Sequence, residues 1–342
     1  MSSEHKVGLT FEGADRIDIV CGEDEDVVTA AFRQGYLLLT ECREGSCATC
    51  RGFLTDGDYD ELLPHSPHAL TDLEEEEGHI LACRLRPRSD LELEFDYPLD
   101  RVGRYEERTR TGQVVTTERV SETVARVVVR TAPAQDPLAW DPGQYVQLTM
   151  PAVGATRSYS MANVPDGGRE LEFFLRLLPE GRFSGHVAAG LATGEPVRLR
   201  GPFGSFTFRG DPKPVFVAGG TGLAPILAIL RSLADTDPAT DARVVFGVGS
   251  EADLFARDEL SSLSVALPDL EVVTTVERPG AAWSGAVGVV TEHLGPLDPT
   301  RSYYLCGPPA MIAACEAMLV DGGVPRSQIH AERFLETGDE RS

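Results

Sequence analysis

Residues 41–50 read ECREGSCATC, and this stretch decides how the rest of the chain is interpreted. With one cysteine further on, it gives the spacing C-x4-C-x2-C…C, formed by Cys42, Cys47, Cys50 and Cys83. Plant-type [2Fe–2S] clusters are held by four thiolates with this spacing. Gly45 and its small neighbours suit a loop that wraps closely around the sulfides. The sequence therefore predicts a [2Fe–2S] cluster; a structural zinc site, which usually needs two close ligand pairs, and ordinary buried thiols are the alternatives.

Length and composition indicate a multidomain globular protein. The chain has 342 residues, more than one core usually covers, so we expect two or three domains. No apolar run approaches the roughly 20 residues that span a bilayer, and no apolar segment follows the first six residues as in a signal peptide. A cytoplasmic location without membrane contact is expected. Cys21, Cys306 and Cys315 are expected to be reduced thiols.

The negative charge is concentrated at the start of the chain. The net charge is −23, and residues 1–100 hold 24 acidic residues against 8 Lys and Arg, a difference of −16. Nucleic acid is therefore not an expected partner. The acidic face is predicted to steer the chain to a basic patch on a protein partner, with a merely solvated surface as the alternative.

Residues 1–100 have the pattern of a small mixed domain. Alternating strands are predicted over 6–20, an amphipathic helix over 27–35, and a last strand over 91–95. The acidic run at 74–77 is explained by a capping box between Thr71 and Glu74, which places the acids in the first turn of a helix. Residues 101–110 are charged and are interpreted as a linker.

The pattern then changes twice. Five strands separated by Pro and Gly turns predict a closed antiparallel barrel over 111–209. Over 210–342 strands and helices alternate, which predicts a doubly wound α/β domain with a mostly parallel sheet. Its first helix is expected to begin at Pro225, and Ser250 is expected to cap the second.

A tetrapeptide on a predicted barrel strand, Arg157-Ser158-Tyr159-Ser160, offers a cation, an aromatic ring and a hydroxyl that can reach one face. A flavin nucleotide needs such groups for its phosphate, its ring and its reactive nitrogen. The predicted helix start at Gly181-Arg182-Phe183-Ser184 adds free N–H groups for a pyrophosphate. Arg176, at the end of a predicted strand, belongs to the same candidate set. An ordinary barrel strand and helix start is the alternative.

Two further turns indicate a dinucleotide site. One lies between a strand and a helix and comprises Gly219, Gly220, Thr221 and Gly222. The other follows a later strand and comprises Cys306, Gly307 and Pro308. Because parallel strands place their carboxyl ends at one edge of the sheet, both turns are predicted to lie together. Tight turns without a ligand are the alternative.

These motifs together resemble the NADH-dependent reductase components of bacterial multicomponent oxygenases, especially those of soluble di-iron hydrocarbon monooxygenases such as methane or propane monooxygenase. The resemblance covers nearly the whole chain. It implies a β-grasp-like ferredoxin domain, an FAD barrel and an NAD domain, with Cys42, Cys47, Cys50 and Cys83 as cluster ligands and the motifs above as FAD and NAD sites. It also places the family's aromatic residue near the flavin ring at Phe334. The extension over 335–342 departs from the family pattern.

The resemblance implies that NADH gives a hydride to FAD, and that electrons pass singly to the cluster and on to the hydroxylase component. Ser160, Cys306 and Phe334 would position the reacting groups. The hydroxylase is expected to dock on the acidic ferredoxin domain of a monomer. A reductase of a Rieske-type aromatic-ring dioxygenase is the alternative within this class. A zinc-stabilised adaptor or a thiol redox sensor is the alternative outside it.

The turn over 247–251 bears on the choice of nicotinamide nucleotide. An acid near the end of the second strand can bind the adenosine ribose hydroxyls, whereas an Arg there would receive a 2′-phosphate. The turn has Glu251 and no Arg, so a preference for NADH is predicted, with Glu251 contributing by repulsion. Alternatively, Glu251 only complements the dipole of the next helix.

Overall fold

The computed structural model describes residues 3–40, 45, 48–60, 62–67, 69–104, 108–165, 167, 169–178 and 181–334. The chain forms two compact units, which are described separately. The first comprises Met1–Glu107 with Phe203–Ser205, and the second comprises Arg108–Pro202 with Phe206–Ser342. Within the described ranges, no helix is both long and apolar enough to cross a membrane.

The first unit is built on a mixed five-stranded sheet. Its elements in chain order are β1 (Glu4–Glu12), β2 (Arg16–Gly22), α1 (Val27–Arg33), β3 (Tyr36–Leu37), β4 (Arg51–Asp56), α2 (Asp72–Glu76), β5 (His79–Leu81), β6 (Leu91–Pro98) and β7 (Gly103–Arg104). The strand order is β2-β1-β6-β4-β5, with β1 and β6 parallel and the other pairs antiparallel. Helix α1 contributes four buried residues to the same core, Val27, Val28, Ala30 and Ala31. This arrangement is the predicted β-grasp fold.

Local sequence signals explain both helices of this unit. Asp26 caps α1 by accepting a hydrogen bond from the Thr29 N–H at 2.9 Å. The predicted capping box of α2 is confirmed, since the Thr71 N–H donates to the Glu74 carboxylate at 2.9 Å and the Glu74 N–H donates to the Thr71 hydroxyl at 3.3 Å. The hydrogen bonds that the Thr71 N–H and hydroxyl donate to the Glu74 carboxylate, together with Arg51, lower the pKa of Glu74 to about 2.

The predicted linker over 101–110 contains strand residues. β7 pairs with β3, and the next strand already begins at Arg108. Residues 105–107 lie outside the described part of the chain. The charged composition of this stretch concealed the pairing, because a strand of two residues is too short to show apolar alternation.

The second unit begins with a curled antiparallel sheet. Its elements are β8 (Arg108–Arg119), β9 (Val124–Thr131), β10 (Tyr145–Met150), β11 (Ala155–Ser160), β12 (Glu170–Arg176), α3 (Arg182–Ala188) and β13 (Pro196–Phe203). The strand order is β11-β10-β13-β8-β9-β12. The two outer strands meet just beyond β11, where the Ala162 N–H donates to the Glu172 carbonyl at 2.8 Å. The curled sheet fits the predicted FAD barrel.

The rest of this unit is a parallel α/β fold. Its elements are β14 (Val215–Gly219), α4 (Leu223–Thr236), β15 (Ala242–Val248), α5 (Arg257–Ala266), β16 (Leu270–Val276), β17 (Ala286–Val287), β18 (Tyr303–Gly307), α6 (Pro309–Asp321) and β19 (Ile329–Arg333). The strand order is β17-β16-β15-β14-β18-β19, and all the pairs are parallel. The first strand in the chain, β14, lies inside the sheet, and later strands are added on both sides of it, as predicted for a doubly wound sheet.

Two predicted helix starts in this fold are wrong. Helix α4 begins at Leu223, so Pro225 lies inside its first turn, where a missing N–H costs nothing. Ser250 caps a single 3-10 turn, Glu251–Asp253, and α5 begins only at Arg257. The capping signal was real, but it belongs to a separate turn before the helix.

One apolar core joins the curled sheet to the α/β fold. Val124 and Phe174 of the sheet belong to the same buried cluster as Leu223 and Leu227 of α4. The rings of Phe174 and Phe255 lie 4.9 Å apart between centroids. The two parts of the second unit are therefore packed against each other.

Candidate functional site

Two of the four predicted cluster ligands can be examined. Cys50 and Cys83 are 1% and 2% exposed, whereas Cys42 and Cys47 lie outside the described residues. The Ala82 N–H donates to the Cys50 carbonyl at 3.0 Å, so Cys50 faces the residue just before Cys83 across the end of the β4–β5 pair. The two thiols thus come from adjacent backbone segments, as a shared cluster requires.

The loop around these cysteines has the backbone expected of a close wrap. Gly45 has a φ of +72° and Ala48 a φ of +62°. A Cβ on Gly45 would lie 2.6 Å from the Cβ of His65 and 2.8 Å from the Cγ of Arg84, so neither the angle nor the space admits another residue. The predicted need for glycine is confirmed, and the described residues fit a thiolate-held cluster.

The flavin motif lies on β11 as predicted, but its side chains do not all lie on one face of the strand. The Tyr159 ring packs on Phe183, with centroids 5.3 Å apart, and burial raises the pKa of Tyr159. Ser158 is exposed and Ser160 is buried. Because neighbouring residues of a strand project to opposite faces, the predicted common face holds for Arg157 and Tyr159 and not for Ser160.

Helix α3 begins directly after Gly181, as predicted. Arg182 donates to the Val153 carbonyl at 2.6 Å, and the Ser184 hydroxyl donates to the Leu178 carbonyl at 2.9 Å. Phe183 is buried under Tyr159, so it supports the flavin motif by packing. Arg176 is exposed at the end of β12.

The two predicted nicotinamide turns lie against each other. β14 and β18 are parallel neighbours, with Ala218 opposite Cys306. A Cβ on Gly222 would lie 2.2 Å from the Cys306 carbonyl oxygen, and one on Gly307 would lie 3.0 Å from the Gly219 Cα. Gly307 also has a φ of +148°. Glycines are required here because backbone packs directly on backbone.

Glu332 is the site residue that the sequence analysis missed. The Ser160 hydroxyl donates to Glu332 Oε2 at 3.2 Å, and Cys306 Sγ lies 3.9 Å from the same oxygen. Glu332 and Ser160 are each 5% exposed, and Cys306 is fully buried. An acid at an inward position of the last strand was the available signal, since His330 and Glu332 alternate with more exposed neighbours.

Phe334 lies beside this group. It follows β19 directly, and its N–H donates to the Gly307 carbonyl at 2.9 Å. Its ring is partly buried against the core that joins the curled sheet to the α/β fold. The extension over 335–342 lies outside the described residues.

The turn after β15 corrects one premise of the sequence analysis. Glu251 Oε1 accepts a hydrogen bond from the Gly280 N–H at 2.7 Å. Arg278 lies two residues beyond the neighbouring strand β16, and its backbone N–H donates to the Gly249 carbonyl at 3.1 Å. Its guanidinium would lie 3.2 Å from a Cβ on Gly249, so an Arg does lie beside this turn. Arg257 is the first residue of α5, and its guanidinium lies 5.8 Å from the Trp283 ring centroid.

Three family models match the chain in the order of its parts. They are a 2Fe-2S iron-sulfur cluster binding domain over residues 11–88, an oxidoreductase FAD-binding domain over 111–208 and an oxidoreductase NAD-binding domain over 216–317. The reductase component of propane 2-monooxygenase from Rhodococcus jostii is 34% identical over 351 residues, covering 98% of this chain and 92% of the relative. The chain belongs to the reductase components of bacterial multicomponent oxygenases. This reductase is also 32% identical to the anthranilate 1,2-dioxygenase electron transfer component of Acinetobacter baylyi, over 97% of this chain and 98% of the relative.

A solved structure agrees with the family. The reductase is similar to the crystal structure of a cytochrome P450 reductase from Amycolatopsis, with a TM-score of 0.80, 29% identity and coverage of 96% of this chain and 98% of that one. The predicted cofactors NADH, FAD and a [2Fe–2S] cluster are confirmed by the domain matches. This reductase is an oxidoreductase in which electrons pass from NADH through FAD and the cluster, and its relatives serve oxygenase components.

Proposed function

We propose that this reductase supplies electrons to the hydroxylase of a di-iron hydrocarbon monooxygenase. The observation that carries the proposal is the match to the propane 2-monooxygenase reductase component, which extends over 98% of the chain. FAD, when bound, accepts the two electrons of a hydride and can release them singly to a one-electron cluster. The chain's own residues then have to bind, orient and shield the reacting groups.

Ser160, Cys306 and Glu332 are proposed to form the dry centre at which NADH and FAD meet. The Ser160 proton points to Glu332 Oε2, so this hydroxyl is held in one direction while its oxygen keeps a lone pair for another donor. Protein atoms cover all three side chains almost completely, which keeps water away from the Glu332 carboxyl group. Phe334 is proposed to cover the ring of the flavin, next to the Gly307 turn that fixes it.

The binding surfaces on either side follow from the two sets of turns. On the nicotinamide side, we propose that two turns bind NADH mainly through backbone atoms: Gly219, Gly220, Thr221 and Gly222 in one, and Cys306, Gly307 and Pro308 in the other. On the flavin side, we propose Arg157 and Arg182 for the phosphates and Tyr159 for the ring, with Phe183 and Ser184 holding the start of α3. Ser158, Gly181 and Arg176 border this surface and are proposed to contact the FAD.

The cluster is proposed to be held by Cys42, Cys47, Cys50 and Cys83. The burial of Cys50 and Cys83 and the left-handed backbone at Gly45 support this assignment. We further propose a ferredoxin-type domain over 1–100, an FAD domain over 111–209 and an NAD domain over 210–342.

The acidic ferredoxin domain is proposed as the docking surface for the hydroxylase. Helix α2 exposes Asp72 and Glu76, whereas Glu74 is already paired with Arg51 at 2.9 Å. Leu73, which is 65% exposed, lies among these acids. A basic surface with an apolar contact at its centre would complement this helix. The reductase is proposed to act as a cytoplasmic monomer. Analytical ultracentrifugation at micromolar concentration tests whether it is a monomer.

Reconstitution tests the proposed partner. The purified reductase, loaded with FAD and cluster, is mixed with NADH and either a di-iron hydroxylase or a Rieske-type oxygenase, and product formation is measured. Turnover with the di-iron hydroxylase is expected. Turnover with the Rieske oxygenase alone would favour the second candidate function, that of a dioxygenase reductase. The 32% identity to the anthranilate 1,2-dioxygenase component supports this second candidate.

A further inference from the structure

We propose that Arg231 is a positioning residue for hydride transfer, because it ties the curled sheet that carries Ser160 to the helix that follows the glycine turn. The inference rests on the proposed function, since it concerns the meeting of NADH and FAD at Ser160, Cys306 and Glu332. It assigns a role to a residue that touches none of these three.

The Arg231 guanidinium binds three separate segments. Its Nη1 donates to the Ala162 carbonyl at 2.6 Å and to Glu172 Oε2 at 2.9 Å, both on the side of the curled sheet. Its Nη2 donates to Glu259 Oε1 on α5 at 2.6 Å. A planar guanidinium with several fixed donors is suited to such a junction, and a lysine could not reproduce it.

Glu172 is held from both sides. Its second oxygen, Oε1, accepts from Arg126 Nε on β9 at 2.6 Å, so each carboxylate oxygen has its own arginine. The backbone N–H of Glu172 donates to Asn163 Oδ1 at 2.9 Å. Only 9% of the Glu172 side chain is exposed. Two cations and two carboxylates from four elements thus form a partly buried set, in which Arg126 and Glu259 are each 34% exposed and Arg126 also lies 3.9 Å from Glu118.

The main effect of this set is expected on geometry rather than on stability. Taking charges out of water costs about as much as their attraction returns, so a buried ion set contributes little net stability. The apolar core between α4 and the curled sheet is non-directional and would tolerate small shifts. Hydrogen bonds to a fixed fork of donors are directional, so they select one register of this packing.

The contacts of Arg231 and those of Ser160, Glu332 and Cys306 form one closed ring of interactions that begins and ends at α4. Ala162 lies two residues after Ser160, which binds Glu332, which in turn lies beside Cys306. The Cys306 carbonyl packs on the turn that ends at Gly222, and α4 with Arg231 follows that turn directly. Loss of the Arg231 hydrogen bonds therefore weakens this ring of interactions on the side away from the reacting groups. A misplacement of about 1 Å in such a site can cost up to about a hundredfold in rate.

The test compares three variants of the full, FAD-loaded chain: Arg231→Met, Arg231→Lys and the control Arg243→Met. Arg243 is a matched control because it is similarly buried, with 18% of its side chain exposed against 23% for Arg231. It also binds one carboxylate, Glu271 at 2.6 Å, and one carbonyl, His293 at 3.0 Å, both within the α/β fold.

The first measurement is anaerobic reduction of the flavin by NADH over a range of NADH concentrations. For Arg231→Met we expect the limiting rate to fall about tenfold, with the apparent Kd for NADH within about twofold of wild type. The limiting rate of Arg231→Lys is expected to lie between those of Arg231→Met and wild type. That of Arg243→Met is expected to match wild type. A loss of NADH affinity at an unchanged limiting rate would overturn the proposal.

The second measurement is amide hydrogen exchange of the same proteins without NADH. Peptides that cover residues 160–163 and 172 are expected to exchange faster in Arg231→Met and at the wild-type rate in Arg243→Met. Unchanged exchange in Arg231→Met would overturn the positioning role, even if the rate fell. If Arg231→Met does not fold or loses FAD, Arg231→Lys decides by the same two measurements. If wild type itself does not oxidise NADH, the proposed function fails, while hydrogen exchange still decides whether Arg231 orders the segment of Ser160.

Discussion

The Ser160 hydroxyl donates a hydrogen bond to Glu332 Oε2 at 3.2 Å, although 172 positions separate the two residues in the chain. Glu332 also lies 3.9 Å from Cys306 Sγ, so one buried carboxylate oxygen serves a hydroxyl of the curled sheet and a thiol of the α/β fold. Buried carboxylates need partners, and here the partners include two residues predicted to border NADH and FAD. Glu332 is therefore expected to act in positioning these groups.

Replacement of Glu332 by Gln tests this role. Gln keeps the shape and one acceptor oxygen but replaces the other oxygen with an NH2 donor, so we expect the limiting rate of flavin reduction by NADH to fall by about tenfold or more. FAD content and the apparent Kd for NADH are expected to remain near wild type. The control is Glu271→Gln, an acid whose side chain is 59% exposed and which pairs with Arg243. A wild-type limiting rate in Glu332→Gln would contradict the assignment.

Replacement of Cys50 by Ser is expected to remove the cluster, since a hydroxyl is a poor substitute for a thiolate on iron. Iron and sulfide contents should fall while flavin content is retained. Cys21→Ser is the control, because Cys21 is buried, donates to the Glu25 carbonyl at 3.5 Å and has its pKa raised by burial to about 12. Full iron and sulfide in Cys50→Ser would show that Cys50 is not a ligand.

Replacement of Gly222 by Ala should push the two nicotinamide turns apart. The new Cβ would lie 2.2 Å from the Cys306 carbonyl oxygen, which is backbone and has little room to move. We expect a higher KM for NADH and a loss of about 1–3 kcal/mol in the free energy of unfolding. Gly22→Ala serves as the control, since the nearest atom to its Cβ would be 3.6 Å away. Wild-type stability and KM in Gly222→Ala would refute the close packing of these turns.

The preference for NADH over NADPH is expected to depend on Glu251. Its carboxylate is held by the Gly280 N–H at 2.7 Å, where it would repel a 2′-phosphate, although Arg278 lies beside the same turn. In Glu251→Ala the ratio of kcat/KM for NADPH to that for NADH should rise, because repulsion is lost and Arg278 remains. Equal kcat/KM values in wild type would disprove the preference. An unchanged ratio in the variant would clear Glu251 of any part in it.

The stability of the second unit should depend on pH through Asp253. Burial acts to raise the pKa of Asp253, but hydrogen bonds from the Thr123 hydroxyl, at 2.6 Å, and from Ser250 outweigh it, so this pKa lies below its usual value. A carboxylate with a lowered pKa stabilises the fold above its unfolded pKa of about 3.9, and this contribution is lost as the pH falls through the folded pKa.

Thr123→Val should therefore be less stable than wild type at neutral pH, and the difference should shrink as the pH falls below the unfolded pKa. Urea unfolding at a series of pH values measures this. A difference that is the same at acidic and neutral pH would show that the lost bond does not act through the ionisation of Asp253.

Local spacing was sufficient for much of the molecule. The cysteine pattern, the glycine turns, the capping box of α2 and the change from closely spaced strands to alternating strands and helices are each properties of a few adjacent residues. Such signals follow from bond geometry and from periods of two and 3.6 residues, so no distant part of the chain is needed to interpret them. They predicted the cluster loop, the barrel, the doubly wound fold and the places of the flavin and nicotinamide turns along the chain, whereas the β-grasp fold was implied by the family resemblance.

The partners of these residues were decided by the tertiary structure alone. Glu332 reaches Ser160, Arg278 reaches the turn at Gly249, and Arg231 reaches Ala162, each from an element that no local pattern connects to its target. Which strands become neighbours depends on burying the apolar faces of all the elements at once, and that choice sets which polar side chains meet. A short motif in the sequence can therefore indicate a cofactor, but only the packed sheet determines which buried acid lies beside that motif.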